Sequence, residues 1–477
     1  MTKQTNIGQE LSQIIERVSY KDLPQAVVLK MKQTLLDSIG CALGARITDR
    51  ARIALELVAE LGGNPQAVII GGGHSSWALA AYANGELIQA LDHEPCGPHS
   101  GHVVPYVLSP SLSIAQRQKA SGKGLITALA LALEVGSRVF NSVPSSFAPT
   151  KKGASYYEKK HPTSFGSTQV YGGVAGVSKL LQLDSKRIAH AFGIAGTNMP
   201  VPAGNSWHSM PRPSIMTKFN TLTGAIAQLS TIACLLAERG FTGDTTFLDS
   251  ELGFRDVLCV GDNWKPEVIT GDLGKKWWSE EWMGQWLKAY PICGIHHAAI
   301  DLIVNIMQKN HINPDNIKEI LVKGGSATPP WSLPFADEVT ACDCSHNDAY
   351  AYAVAAYHGQ NPGPNWLMPS SYNDPKIRNL MKRVRVEAVT DFQTPIVVEL
   401  TVDGKKYTAT GRRQYAGIKV EQPGDTRKPL SDDEIRAKFR NNAEYSSLKS
   451  EAVERIIDAV YRLEEFDDVS EMLEMLG

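Results

Sequence analysis

Two stretches of this chain are apolar almost all the way round a helix: GKGLITALALALEVGSRVF at 122–140 and TLTGAIAQLSTIACLLAERG at 221–240. A helix with no polar face must be surrounded by other protein, so these segments call for a bundle with neighbours on every side. Their alanines and glycines allow those neighbours to approach closely. The second stretch ends on Gly240, a residue type suited to closing a helix. VVLKMKQTLLDSIGCALGA (27–45) carries apolar residues at three- and four-residue spacing, and from residue 9 to about 255 the chain reads as helix after helix. No run of about 18 apolar residues occurs, so a membrane-spanning helix is not expected.

The texture changes at KKWWSEEWMGQWLKAYP (275–291), with four tryptophans in ten residues. Beyond it, IKEILVKG, KRVRVEAV and PIVVELTVDGKKYTATG alternate apolar and polar residues, and Asp403-Gly404 is a hairpin signal. HNDAYAYAVAAYHG between them reads as a helix. Residues 280–423 therefore read as an α+β domain. Helices return after Pro423: SDDEIRAKFRNNA starts on a serine cap, and LKSEAVERIIDAVYRLEEF is amphipathic. At 477 residues the chain is too long for one compact core, and two domains are the default.

A formal charge of −2 gives no general attraction to nucleic acid or anionic membrane, so an anionic ligand must be held by a local site. MTKQTNIGQELSQII lacks the apolar core of a signal peptide. The seven cysteines are scattered and odd in number, which suits reduced thiols and a cytoplasmic location.

No cofactor motif is intact. VIIGGGHSS (68–76) places three glycines after a strand-like run, but Ser76 stands where a dinucleotide fingerprint needs its last glycine. There is no Walker loop and no G-x-S-x-G elbow. ACDCSHND (341–348) offers Cys342, Cys344 and His346, but its C-x-C spacing is not that of a zinc site and no second half is evident. LDHEPCGPHSGHVVP (91–105) holds His93, His99 and His102 beside Asp92, Glu94 and Cys96 at irregular spacing. Imidazoles titrate near neutrality and can serve as acids or bases, yet on these residues alone a polar surface loop is the better reading. In KKHPTSFGSTQVYGGVAGVSKLLQL (159–183), His161, Thr163 and Ser164 precede a helix. That junction is suited to holding a carboxylate, and equally to an ordinary cap. Lys218 heads an apolar helix, and Lys288 and Tyr290 precede His296-His297. Adjacent helical residues point apart, so at most one of those two histidines faces a given site.

HPTSFGSTQVYGGVAGVSKLLQLDSKRIAHAFGIAGT, then TKFNTLTGAIAQLSTIACLLAERGFTG and KAYPICGIHHAAID, resembles the MmgE/PrpD family. LLDSIGCALGA, ANGELIQALD and PLSDDEIRAKF extend the resemblance over nearly the whole chain. That family includes 2-methylcitrate dehydratase, cis-aconitate decarboxylase and iminodisuccinate epimerase. The resemblance implies a mainly α fold: a helical domain from 1–279 and 424–477, with 280–423 inserted as an α+β lid. It also implies a homodimer, a small carboxylate substrate, and catalysis without metal or organic cofactor.

By the same resemblance, His161, Lys218 and His297 occupy the family's site positions, with Asp92, His93, Thr163, Ser164, Lys288 and Tyr290 as candidates for holding substrate. The chain departs from the family where relatives read L-D-F-D-D and H-P-S-G. Here LDHEP keeps Asp92, and PHSGH shifts His99 by one place and adds His102, so either histidine is a candidate acid/base group. Gly294 replaces an arginine common in relatives, which points to a different or less anionic substrate. The implied activity is a lyase, dehydratase or decarboxylase, working through an enolate-like intermediate. An epimerase and a non-catalytic carboxylate binder are the alternatives.

Overall fold

The computed structural model describes residues 6–96, 101–143, 166–200, 216–217, 222–255, 264–281, 287–325, 339–388, 394–411 and 430–477. The architecture is mainly α. The first part comprises α1 (Ile7–Arg17), α2 (Gln25–Ala45), α3 (Asp49–Leu61), α4 (Trp77–Gln89), α5 (Val103–Arg117), α6 (Gly122–Ser142), α7 (Val170–Leu180), α8 (Ser185–Thr197) and α9 (Thr223–Glu238). Two one-turn helices follow, α10 (Glu267–Thr270) and α11 (Trp278–Glu281).

α6 sits in the middle, as its apolar circumference requires. It has the length and apolarity of a membrane span, but 83% of its most apolar window is buried inside the protein. It packs against α7 through Gly136 and Gly172. A Cβ on Gly172 would lie 2.5 Å from the Ala132 carbonyl and 2.9 Å from Gly136 Cα, so only glycine permits this approach. Each leucine or isoleucine fully buried here contributes about 1.5–3 kcal/mol.

The glycines of 68–76 form no dinucleotide loop. They join β1 (Ala67–Val68) to β2 (His74–Ser75) in an antiparallel ribbon. Gly71, Gly72 and Gly73 all take positive φ. Ser76 caps α4, its side chain accepting the Leu79 N–H, and the Gly71 N–H donates to the Leu476 carbonyl.

Later come α12 (His297–Asn310), α13 (Ala341–Ser345), α14 (Asp348–His358), α15 (Pro369–Tyr372) and α16 (Pro375–Met381). With them is a four-stranded sheet of β3 (Ile317–Gly325), β4 (Val384–Ala388), β5 (Ile396–Val402) and β6 (Lys405–Gly411), in the order β4-β3-β5-β6. Only β3 and β4 run parallel. β5 alternates buried and half-buried residues along its length. Its turn into β6 places both Asp403 and Gly404 at positive φ, the geometry of a tight hairpin.

The chain closes with α17 (Asp432–Ala443), α18 (Ser450–Tyr461) and α19 (Ser470–Leu473). A reciprocal capping box between Ser431 and Glu434 starts α17. These helices bond back to the first part of the chain. Lys32 donates to the Tyr461 carbonyl at 2.8 Å, and Gln33 to Asp432 at 2.8 Å. Lys438 on α17 pairs with Asp37 on α2 at 2.7 Å.

Candidate active site

Past the end of α4 the chain turns sharply. Asp92 adopts φ 50°, a left-handed conformation that aspartate tolerates better than most residues. The turn buries Asp92, His93 and Glu94 in succession. Buried carboxylates need partners, because charge removed from water is costly unless paired and hydrogen-bonded. Asp92 meets Lys288, whose ammonium donates to the Asp92 carbonyl at 2.7 Å and to Oδ1 at 2.5 Å. Burial alone would lower the Lys288 pKa, but Asp92, Cys96 and Glu94 outweigh it and push it above the usual lysine value. Lys288 is therefore a fixed cation.

Glu94 meets His102, the residue that precedes α5. His102 Nδ1 lies 2.7 Å from Glu94 Oε1 and 4.0 Å from Asp92 Oδ1. An ionised carboxylate only accepts, so with Glu94 ionised the Nδ1 of His102 carries the proton. His346, at the end of α13, completes the group with Nε2 3.6 Å from Asp92 Oδ2. Two histidines, two carboxylates and a lysine thus converge from segments far apart in sequence.

His93 is turned fully inward. Burial pushes its imidazole well below the ordinary histidine value, and Lys438, Lys288 and His297 depress it further, so it is neutral at pH 7. Its carbonyl accepts from Lys438 at 2.8 Å. That lysine also neutralises Asp37, whose carboxyl burial holds above the usual aspartate range.

The second wall runs from Lys288 into α12. Tyr290 stacks on Trp366 at 5.4 Å, and its hydroxyl donates to Asp301 at 2.7 Å. His297 stands edge-on to Tyr290 at 5.1 Å, with Nε2 3.0 Å from the Ile292 carbonyl. His296 points the other way into full burial, Nδ1 3.0 Å from Asp348 Oδ1. The adjacent pair does divide, and only His297 keeps some exposure.

Of the residues singled out from sequence, Asp92, His102 and Lys288 share one network, while Tyr290 and His297 form a neighbouring contact pair. His161, Thr163, Ser164, Lys218 and His99 lie outside the described residues. Sequence reasoning gave Glu94, Cys293 and Lys438 no role in the site. Within ACDCSHND, it is His346 that comes close to Asp92. Among the described residues two sets of donor atoms lie within 4.8 Å of one another, Asp92/Cys293/His346 and Asp92/Glu94/His102.

Comparison with known proteins agrees along the whole chain. The family model described as the MmgE/PrpD N-terminal domain matches residues 9–267, and that described as the MmgE/PrpD C-terminal domain matches 290–464. Cis-aconitate decarboxylase of Mus musculus is 24% identical, over 99% of this chain and 93% of its own length. The cis-aconitate decarboxylase-like protein oryM of Aspergillus oryzae is 26% identical, over 100% and 98%. Cis-aconitate decarboxylase of Aspergillus terreus is 24% identical, over 100% and 98%.

Proposed function

This chain belongs to the MmgE/PrpD family, and from that premise we propose that it is a lyase acting on a small carboxylated substrate, using side chains alone for proton transfer. The observation that carries the reading is the 2.7 Å pair of His102 and Glu94 beside the Lys288–Asp92 ion pair. With Nδ1–H held by Glu94, His102 takes the proton from the carbon next to a carboxylate through Nε2. The imidazolium formed is stabilised by Glu94 and Asp92, and acid/base catalysis of this kind contributes about 10²–10⁴-fold. The enolate-like intermediate requires positive charge. Lys288 supplies one cation within the network, and by the family resemblance His161 and Lys218 are further sources of positive charge for it.

Dehydration then needs an acid to protonate the departing hydroxyl. Decarboxylation sends the electrons of the breaking C–C bond into the same enolate, and a histidine returns the proton to carbon. The relatives named cis-aconitate decarboxylase favour a carboxy-lyase or hydro-lyase over an epimerase. Gly294, where the family resemblance leads one to expect arginine, favours a different or less anionic substrate.

Proton NMR in D₂O on di- and tricarboxylates and 2-hydroxy acids tests this, comparing native protein with His102→Asn and His161→Asn. Deuterium at the α-carbon with a new alkene signal or loss of CO₂ is the expected result. Exchange with inversion and no alkene would make the protein an epimerase. Unchanged turnover in His102→Asn would overturn the role given to the Glu94–His102 pair.

A further inference from the structure

The turn that carries Asp92 and Glu94 is held by two lysines from distant parts of the chain. Asp92 takes φ 50°, a conformation disfavoured for a residue with a side chain, so the turn needs support beyond its own backbone. Lys288, from the segment before α12, donates to the Asp92 carbonyl at 2.7 Å. Lys438, on α17, donates to the next carbonyl along, that of His93, at 2.8 Å. Both lysine side chains are almost out of solvent, 2% and 7% exposed. Lys288 is paired with Asp92 itself, inside the acid/base network. Lys438 is paired with Asp37 on α2, at 2.7 Å.

α17 gives Lys438 a fixed origin. The helix lies along α2 where two glycines one turn apart let it come close: a Cβ on Gly40 would meet Phe439 Cδ2 at 3.0 Å, and one on Gly44 would meet Asn442 Cβ at 3.3 Å. Ile435 and Phe439 are fully buried in this contact region. The Ser431–Glu434 capping box sets where the helix begins, and Asn441 donates to the Pro362 carbonyl at 2.8 Å. The Lys438–Asp37 pair itself is poor evidence of a stabilising role, because two apolar side chains of similar volume often serve a buried position as well as an ion pair does. What an apolar pair could not supply is the N–H donor to the His93 carbonyl.

We propose that Lys438 is a positioning residue of the active site: with Asp37 as its counter-ion, it holds the His93 carbonyl and so fixes the turn that presents Asp92 and Glu94. That carbonyl belongs to the peptide joining His93 to Glu94, so its place governs where the Glu94 carboxylate lies and with it the 2.7 Å contact to His102 Nδ1. A second effect is electrostatic. Glu94 is near enough to push the Asp37 carboxyl up, and Lys438 opposes that rise. Without the lysine, two buried carboxylates are left repelling one another, and a Glu94 that took up a proton would stabilise a His102 imidazolium less. The proposal deepens the lyase reading and rests on it, since it takes the Glu94–His102 pair as the acid/base group.

The test compares the full-length native protein with Lys438→Met and with the double variant Lys438→Met/Asp37→Asn. The double variant leaves no unpaired buried charge and is expected to melt close to native, while the His93 carbonyl still lacks its donor. Its kcat, on whichever carboxylate the native protein turns over, is expected to fall at least about tenfold with KM within about twofold, as for a misplaced acid/base group. Recovery of stability without recovery of kcat separates positioning from a merely structural role. Amide hydrogen exchange, read by mass spectrometry and needing no substrate, is expected to quicken in the peptide covering residues 88–96. Native kcat in the double variant, a loss confined to KM, or unchanged exchange over 88–96 would each overturn the proposal. If the native protein turns over none of the carboxylates, the lyase reading fails by itself, and the exchange measurement still decides whether Lys438 holds the turn.

Discussion

Replacing Lys438 with methionine keeps most of the side chain's volume and removes one charge. The ammonium lies 2.7 Å from Asp37 Oδ1 and 2.8 Å from the His93 carbonyl, with Asp37 wholly buried on α2. Burial already raises the Asp37 pKa, and Lys438 opposes that rise. Without the lysine Asp37 must either stay charged in an apolar setting or take up a proton. Protonating a carboxyl with an unfolded pKa of about 3.9 costs about 4 kcal/mol at pH 7 and about 1.5 kcal/mol at pH 5. Those figures cap the electrostatic loss, and the missing bond to the His93 carbonyl adds about 1 kcal/mol.

The pH dependence has a definite sign. A carboxyl with a raised folded pKa supports the fold only while protonated, and that support is lost as pH rises through the folded value. Lys438→Met raises the Asp37 pKa further, so the variant's deficit grows from pH 5 to pH 7. Urea unfolding followed by circular dichroism at both pH values measures it. Adding Asp37→Asn is expected to recover most of the loss, because removing both partners leaves no uncompensated buried charge. A deficit of equal size at pH 5 and pH 7, or a double variant no better than Lys438→Met, would refute the electrostatic account and leave packing of the lysine stem as the cause.

Three further outcomes are expected. Among the described residues, a Cβ on Gly294 would meet the Cys96 sulfur alone, at an ordinary 3.8 Å. Gly294→Arg should therefore fold within about 0.5 kcal/mol of native, and should lower KM for tricarboxylates relative to dicarboxylates by about tenfold through a charge-assisted bond; competition kinetics would show it. A Cβ on Gly122 would fall on the backbone carbonyl of Leu463, so Gly122→Ala should lose about 1–3 kcal/mol or more, read as a lowered thermal midpoint. Burial pushes the Cys234 thiol up to about 12, so at pH 8 this cysteine should resist iodoacetamide in the folded protein and react only after unfolding in urea.

What the sequence determined by itself is what depends on neighbouring residues. All-round apolarity specifies α6 as a central helix, because periodicity is a property of a short window. Ser431 three residues before Glu434 specifies the start of α17, and Asp403-Gly404 the β5–β6 turn, since caps and turns are satisfied within a few residues. Family membership was legible for a similar reason, as ordered motifs survive even at 24–26% identity.

The charge network of the site was decided only by tertiary structure. Lys288 reaches Asp92 across 196 residues, and Lys438 reaches the His93 carbonyl across 345. Each of these groups is affordable inside the protein only because a distant segment brings its counter-charge, and no local pattern records that pairing. In the sequence Lys438 is one more charge in a polar helix, and Glu94 a damaged motif. Folding turns both into partners of groups that would otherwise be too costly to bury.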